Sequence, residues 1–527
     1  VPAVCCEGKV REPLSEGCSI DFVPEDDGCQ HTRKLVRIAL PEVPGVYAPF
    51  VHHDCLHNQL VAINNRVCGV VPLPTPSGVA LIAKAARRLG MMLPQTVEED
   101  YYVMPTRYSG RKATRYLDAT NSIMQHGFDL KRHSVVKAFV KAERTDGISK
   151  PNPDPRMIQF RDPKYCVELT RFLKPIEEHL YRIKGISRGV PMTRNVAKGL
   201  NQVERASLLR EKLSNFTDPV VIGLDASRFD KHVNSDLLNG EFMVYLCSNP
   251  SREFATLLKA QLRNKCFSTK GIKYKTKAKR MSGDMNTALG NCIIMLIMLL
   301  AFMDWCSVWD TLDDGDDVLV IIEAKDLPQF LRDVKKAFLE FGMNVKVESV
   351  AYSLHEVEFC QSKVIHAAGG FKFVRNPIKV LSCALSGVRY FGDVAGRRNL
   401  LYSIGTCELV LNLGVPVLQA FALAIRRNAT RGKFNANLLG DTVARLSREL
   451  KTYRMHINTI VPIPITDLAR DSFAVAFGMD CAEQIRLEKA FDVWEFNIEG
   501  GLQMPEEWTS EWVNTATDSP EWYPLYG

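Results

Sequence analysis

The sequence predicts a fold that mixes helices with strands, and three observations carry that expectation. Thr311–Ile321, TLDDGDDVLVI, sets Asp-Gly between apolar β-prone runs, the strongest short-range hairpin signal a chain offers. Val220–Leu224 is a short strand without a polar side chain, and it delivers Asp225 at its exit. Asp326–Phe341 repeats Leu327, Phe330, Leu331, Val334, Phe338 and Leu339 at the spacing of an amphipathic helix. A chain of 527 residues exceeds one hydrophobic core and is expected to divide into about two to four subdomains. With 46% apolar and 24% charged residues the composition is that of an ordinary soluble globular protein. Net charge is only +7, but the cations are unevenly spread.

The first hundred residues, rich in Pro and Val, read as strand and loop. A helix begins after Ser77, runs through Leu81–Leu89 and ends at Gly90. Val1 is not a methionine, so a processed product or a downstream part of a larger precursor is expected, and no signal peptide is visible. The 15 cysteines are odd in number, form no CxxC pair and lie mostly in apolar segments, which fits reduced, buried thiols in a cytosolic protein. Cys5, Cys6, Cys18, Cys29, Cys55 and Cys68 keep company with His31, His52, His53 and His57. Their spacings match no standard zinc template.

Tyr108–Leu117 opens on a Ser109-Gly110 turn, and Arg111 and Lys112 suit either a phosphate backbone or a solvated helix start. In Val136–Arg161, VKAFVKAERTDGISKPNPDPRMIQFR, prolines prevent a long helix. Lys137, Lys141, Arg144, Lys150, Arg156 and Arg161 therefore sit on extended or looped backbone suited to a triphosphate or a nucleic-acid backbone. Val167–Tyr181 reads as a helix that Pro175 kinks or splits. Beyond Asp225 the chain must bend near Ala226–Arg228 if Asp230 is to reach the same site, because a continuing strand would put it on the opposite face. A helix follows from Ser235 to Pro250. Arg263–Arg280 holds eight Lys or Arg and no acid. Within it Lys273, Lys275, Lys277 and Lys279 share one strand face, for which RNA or DNA is the expected partner; a protected edge strand is the competing reading.

Met281–Asn291, MSGDMNTALGN, is a polar loop in which Thr287 and Asn291 lie four apart on one helical face. Ser282 and Asn286 could equally serve as helix caps. The apolar run Cys292–Met303 falls short of the ~20 residues a bilayer span needs, so a buried helix is expected. After the acidic hairpin come a strand Asn344–Val350 carrying Lys346, a strand Glu358–Ile365, and helices at Leu400–Ile425 and Thr442–His456. The tail from Phe491 carries four of the six tryptophans without a clear period.

Carboxylates this dense repel one another and raise each other's pKa unless cations sit among them. An Asp-rich surface turn is the plain alternative, and an EF-hand fails because Leu312 and Ile321 occupy ligand positions. Two carboxylates from separate strands can hold two Mg2+ ions about 4 Å apart for nucleotidyl transfer, which needs mostly positioning and charge stabilisation.

The order DASRFD, SGDMNTALGN, GDD and EFCQSK resembles motifs A, B, C and E of the viral RNA-dependent RNA polymerases. RMSGDMNTALGN and KPNPDPRMIQFR further resemble the replicases of the tombusvirus family of positive-strand plant viruses, over roughly residues 108–435. The resemblance implies an α+β right hand of fingers, palm and thumb, with an antiparallel palm sheet and closed fingers. Fingers and N-terminal extension would take 1–160, palm 161–184, fingers 185–216, palm 217–247, fingers 248–280, palm 281–375, and thumb and tail 376–527. It implies Asp225, Asp316 and Asp317 as Mg2+ ligands, with Mn2+ as a substitute, and Lys346 as general acid for pyrophosphate. Lys141, Arg144, Lys150, Arg156 and Arg161 would grip the NTP triphosphate; Asp230, Ser282, Thr287 and Asn291 would read its ribose. Ser109, Arg111, Lys112, Gly283, Lys273, Lys275, Lys277, Cys360 and Gln361 are the candidate RNA contacts. Ala288 stands where many of these replicases have Ser.

The implied activity is RNA synthesis on an RNA template with release of pyrophosphate and primer-independent initiation. Implied partners are template and nascent RNA, NTPs, a viral membrane-associated replication protein and host factors. The expected place is the host cytoplasm at membrane-bound replication complexes, reached through a missing segment or a partner. A reverse transcriptase is the first alternative, opposed by Gly315 before Asp316 and by Asn291 in place of a bulky gate. A non-catalytic RNA-binding scaffold is the second, opposed by the intact acid set.

Overall fold

The computed structural model describes residues 13–496 and 498, apart from 26, 27, 29, 30, 34, 150, 388–393, 440 and 441. At its centre lies a four-stranded antiparallel sheet in the order Trp309–Asp313, Asp317–Glu323, Pro219–Ala226, Val345–Ala351. The two inner strands are buried on both faces, which is why they read as unbroken apolar runs rather than as alternation. Strand periodicity sorts their side chains between two cores. Val220, Ile222, Leu224, Val318, Val320 and Ile322 face one; Val221, Leu312, Leu319 and Ile321 face the other.

The first core is built by helices Pro76–Gly90, Pro163–Leu180, Ser235–Ser248, Thr287–Phe302 and Leu327–Glu340. Thr287–Trp305 is long and apolar enough to cross a membrane by composition, yet 78% of it is buried inside the protein, so it is a core helix here. Its N-terminal turn is held by a buried polar network. Arg280 pairs with Glu241, and the Asn286 amide Nδ2 donates to Glu241 Oε1 at 2.8 Å. Pro175 does not split Pro163–Leu180, which continues through it as one helix.

The second core joins helix Gln202–Leu213 to a three-stranded sheet of Glu358–Phe359, Ser362–Ala367 and Gly370–Arg375. The single strand expected over Glu358–Ile365 is therefore a hairpin. Phe359 pairs with Ser362 across a turn in which Cys360 and Gln361 have φ of +50° and +58°. Positive φ at both central residues is the requirement of the type I′ turn, met here without glycine.

A separate five-stranded sheet runs Ser19–Phe22, Lys273–Lys277, Arg263–Ser268, Val136–Val140, Met157–Phe160. The N-terminal region reaches back to the start of the C-terminal helices. Val36–Arg37 pairs with Ser386–Gly387, and the Tyr47 amide donates to Ser382 Oγ at 3.1 Å. The helix expected at Leu400–Ile425 is two, Val394–Leu411 and Leu418–Asn428, because Gly414 at φ +71° and Pro416 interrupt it. The tail beyond 498 lies outside the described residues.

Gly290 sits where an added Cβ would overlap both the Glu241 carboxylate and the Arg280 guanidinium. Gly290→Ala is expected to break a fully buried ion pair and lower stability by about 3 kcal/mol or more, read as a fall in the denaturant midpoint.

Candidate active site

The sheet register sets the acids. Asp317 lies directly opposite Asp225 in one antiparallel pair, and Lys346 lies opposite Asp225 in the next. Directly opposed residues share a face with Cβ atoms about 5 Å apart, so Asp317, Asp225 and Lys346 form a row across three strands. The row continues the face of Val221 and Leu319 just past the end of their core. Asp225 and Asp317 are half-buried there, and Lys346 and Asp316 are exposed.

The turn between the hairpin strands closes as the composition predicts. Asp313 pairs with Val318, the Asp314 amide donates to the Asp317 carbonyl at 2.9 Å, and Gly315 has φ +101°. Only glycine takes that conformation without strain. Gly315 also lies close to Asn291, since a Cβ built on it would be 3.4 Å from the Asn291 Cβ. The bend expected after Asp225 is present, with Arg228 left-handed at φ +51° and Phe229–His232 forming one helical turn. Asp230 is thereby returned to the site, and Asn291 Nδ2 donates to its Oδ1 at 3.2 Å. Arg280 Nε donates to Asn291 Oδ1 at 2.9 Å, which fixes the amide with its NH2 toward Asp230.

The four hairpin acids are chemically unlike. Asp313 is fully buried, and burial pushes its pKa well above the carboxylate range. Its Oδ1 accepts from the Gly315 amide at 2.8 Å, a bond that braces the turn. Burial also works against charge on Asp314, but Lys198 and Arg205 overcome it and hold the carboxyl below its ordinary value. Asp317 is pushed up to about 6 by burial and then by Asp316, Asp314, Glu348 and Asp225. Asp230 is raised by burial and by Asp316. The donor set is all hard carboxylate oxygen, which suits Mg2+. Among the described residues no three His, Cys, Asp or Glu side chains are already gathered into a metal-binding cluster. Ligation would therefore require Asp225, Asp316 and Asp317 to turn toward one another.

Other expected contacts are distributed less simply. Ser282 Oγ donates to the Met157 carbonyl at 2.9 Å and accepts from the Gln159 amide at 3.1 Å; the Gly283 amide donates to the Gln159 carbonyl at 2.7 Å. These bonds dock the 281–286 loop onto strand Met157–Phe160. A Cβ at Gly283 would stand 2.7 Å from that carbonyl, so the close approach explains the glycine. Thr287 Oγ1 donates to the Met281 carbonyl at 2.7 Å. Lys141 and Arg156 flank Glu143 at 3.1 and 3.4 Å. Arg144 donates to the Cys383 carbonyl, and Lys150 lies outside the described residues.

Arg161 is a correction. Its side chain is buried and committed: Nε and Nη2 bind Asp284 at 2.7 and 3.1 Å, Nη1 the Ser134 carbonyl and Nη2 also Asn264. Four of its five N–H donors are committed, and burial keeps the guanidinium from an incoming triphosphate. Sequence reasoning instead missed Arg66 and Arg228, which meet at Asp154; Arg228 Nη2 lies 2.7 Å from its Oδ2 and Arg66 Nε donates to its carbonyl.

Lys273–Lys277 is an interior strand, not the edge strand of the competing reading, and its exposed lysines form surface ion pairs, with Lys275 2.7 Å from Asp21 and Lys277 3.7 Å from Glu16. Lys273 lies over the Phe22 ring. Lys279 leaves the face: at φ +74° it turns inward and donates to the Lys231 carbonyl at 2.8 Å. Ser109 precedes helix Gly110–His126, and Lys112 lies over Tyr108, with Arg111 exposed beside it. Cys360 and Gln361 occupy the type I′ turn beside Asp314. Cys5, Cys6 and Cys29 lie outside the described residues, whereas Cys55 caps helix Leu56–Val61 and its Sγ is 3.7 Å from His31 Nδ1.

Residues 25–499 match the family of viral RNA-dependent RNA polymerases. The chain belongs to that family. It is 34% identical to the RNA-directed RNA polymerase of Oat chlorotic stunt virus (isolate United Kingdom) over 437 residues, 79% of this chain and 57% of the relative. Identity to the RNA-directed RNA polymerase of Turnip crinkle virus is 32% over 474 residues, 87% of this chain and 59% of that protein. The corresponding protein of Tomato bushy stunt virus (strain Cherry) is 32% identical over 467 residues, 85% and 55% respectively. The resemblance drawn from the motifs is borne out at the level of family. The chain spans little more than half the length of these relatives.

Asp313 provides a test of the charge division. Its folded pKa lies above its unfolded value, so from about pH 4 upward the unfolded chain releases a proton the folded chain keeps. Stability contributed by that proton is complete below about pH 4 and is lost as pH rises toward the folded pKa, by up to ~1.4 kcal/mol per unit. Asp313→Asn carries no such proton. Its stability relative to the unsubstituted protein is expected to improve as pH rises above about 4 in urea unfolding; a pH-independent difference would show that Asp313 is ionised.

Proposed function

We propose that this chain is the polymerase region of a positive-strand plant RNA virus replicase, copying RNA from NTPs with release of pyrophosphate. The cross-strand register that sets Asp317 against Asp225 beside the Asp316 turn carries the reading. The right-hand division is proposed as stated from the sequence. The four-stranded sheet with residues 161–184, 217–247 and 281–375 is the palm, and 376–527 are the thumb and tail. The pairing of the N-terminal region with Ser386–Gly387 supports closed fingers, as does the approach of Gly110 to Asn437.

Bound by Asp225, Asp316 and Asp317, two Mg2+ ions would lower the pKa of the attacking 3′-hydroxyl and neutralise the charge on the triphosphate. Lys346, in line with these acids, is the proposed proton donor to departing pyrophosphate. Asn291, held by Arg280, and Asp230 are the proposed readers of the ribose 2′-hydroxyl, because a fixed amide and carboxyl discriminate a hydroxyl from its absence. Ser282 and Thr287 support them chiefly by holding the loop, since their hydroxyl protons are already donated to carbonyls. Lys141 and Arg156 are the proposed triphosphate cations, exchanging Glu143 for phosphate. Initiation without a primer, a viral membrane-associated partner, host factors and a location at cytoplasmic membrane-bound complexes complete the proposal.

The decisive experiment is a primer-free reaction on a defined RNA template with Mg2+ and either NTPs or dNTPs. Incorporation is expected with NTPs, and a preference for dNTPs would reject the assignment in favour of a reverse transcriptase. Asp316→Asn is expected to abolish synthesis and leave RNA binding in a gel-shift assay largely intact. Undiminished synthesis by that variant would falsify the metal assignment.

A further inference from the structure

Asp314 is the point at which four separate segments meet. Lys198 Nζ lies 3.2 Å from its Oδ1. Arg205 engages both oxygens at 3.3 Å, the forked geometry that fixes direction as well as charge. Cys360 Sγ donates to Oδ2 at 3.1 Å, and burial keeps that thiol protonated and able to donate. Arg205 in turn donates to the Ala197 carbonyl at 3.3 Å, and its guanidinium lies over the Phe359 ring. The Ala197 amide donates to the Asp313 carbonyl at 2.7 Å, closing the circuit back to the hairpin.

Asp314 opens a turn of which Gly315, Asp316 and Asp317 are the remainder, so its position determines where the next two carboxylates stand. Without a counter-charge, three neighbouring carboxylates would push the turn away from Asp225. Two cations on one acid leave a local charge of about +1 beside Asp316 and Asp317, enough to hold the turn in register. Neither cation can itself ligate a metal ion. We propose that Lys198 and Arg205 are positioning residues for the metal-binding hairpin, acting through Asp314, and that they tie its turn to the Cys360–Gln361 turn.

This inference rests on the polymerase reading and extends it to residues outside motifs A, B and C. The strained backbone at Cys360 is an independent sign of the same tie. A non-glycine type I′ turn persists only where its surroundings hold it, and the Asp314 contact does so. A purely structural ion pair would cost stability on removal and leave metal affinity alone, which separates the two roles.

The test uses the full chain with Asp314→Asn, Arg205→Met, Lys198→Met and Arg205→Lys. Mg2+ binding is read by calorimetry, and kcat and KM by elongation on a preformed template and nascent strand. Asp314→Asn and Arg205→Met are expected to weaken Mg2+ binding and lower kcat by roughly 10- to 100-fold with the NTP KM little changed, as for outer partners of metal ligands elsewhere. Arg205→Lys should recover part of both losses, and Lys198→Met, the most exposed of the set, should fold even if Arg205→Met does not. Unchanged Mg2+ affinity in the folded variants overturns the proposal, as do losses that follow the fall in Tm without rescue by lysine. If the unsubstituted chain binds Mg2+ yet makes no RNA, the polymerase reading fails while the Mg2+ isotherms still decide the positioning role. If it binds no Mg2+, both fail.

Discussion

The organisation of this molecule depends on holding several carboxylates within a few ångströms of one another at the end of a buried sheet. In isolation such a group would be discharged by protonation or would spread the hairpin. Burial raises the pKa of Asp313, whose carboxyl accepts from the Gly315 amide and becomes part of the turn. The two cations at Asp314 satisfy a second charge. Asp316 is left exposed on the turn and Asp317 stands opposite Asp225 in the register, its pKa pushed up to about 6 by burial and by the neighbouring acids. Repulsion that would be a defect in a structural turn is what a bound cation would relieve, in line with the proposed Mg2+ site.

The sheet can carry this load because it is gripped on both faces. Antiparallel strands commonly leave one face in water, whereas here alternate side chains enter two different cores. A one-residue slip would exchange those sets and move Asp225 from the site face to the other. The buried Arg280–Glu241–Asn286 network extends the same constraint to the loop that presents Asn291. Buried ion pairs are poor sources of net stability. This network orients Asn291 toward Asp230, which ties helix Thr287–Phe302 to the turn that follows Asp225.

Much of this was legible in the chain. Asp-Gly between apolar runs announced the hairpin, Val220–Leu224 its neighbour, and the offset of Asp230 required the bend that Arg228 supplies. The capping-box pattern Asn201…Glu204 could have marked the start of helix Gln202–Leu213 and placed Arg205 in its second turn. It could not have named Asp314 as the partner. The burial of Arg161 and the ion pairs of the lysine strand were illegible for one reason. Periodicity and charge say that a cation is present, but its counter-ion comes from residues far away in sequence, Asp284 for one and Asp21 and Glu16 for the other.

Sequence alone therefore determined the Asp-Gly hairpin, the Asp225 strand and the polar loop before the buried helix, because those follow from side-chain volume, φ preference and spacing along a few residues. Family membership followed from the same local patterns. Tertiary structure decided that Asp313 is buried, that Asp314 is paired with two cations, that Arg161 is buried against Asp284, and that EFCQSK folds as a hairpin rather than a strand. Those outcomes depend on solvent exclusion and on Coulomb partners brought together only when the chain closes, and neither quantity is a property of any short stretch of it.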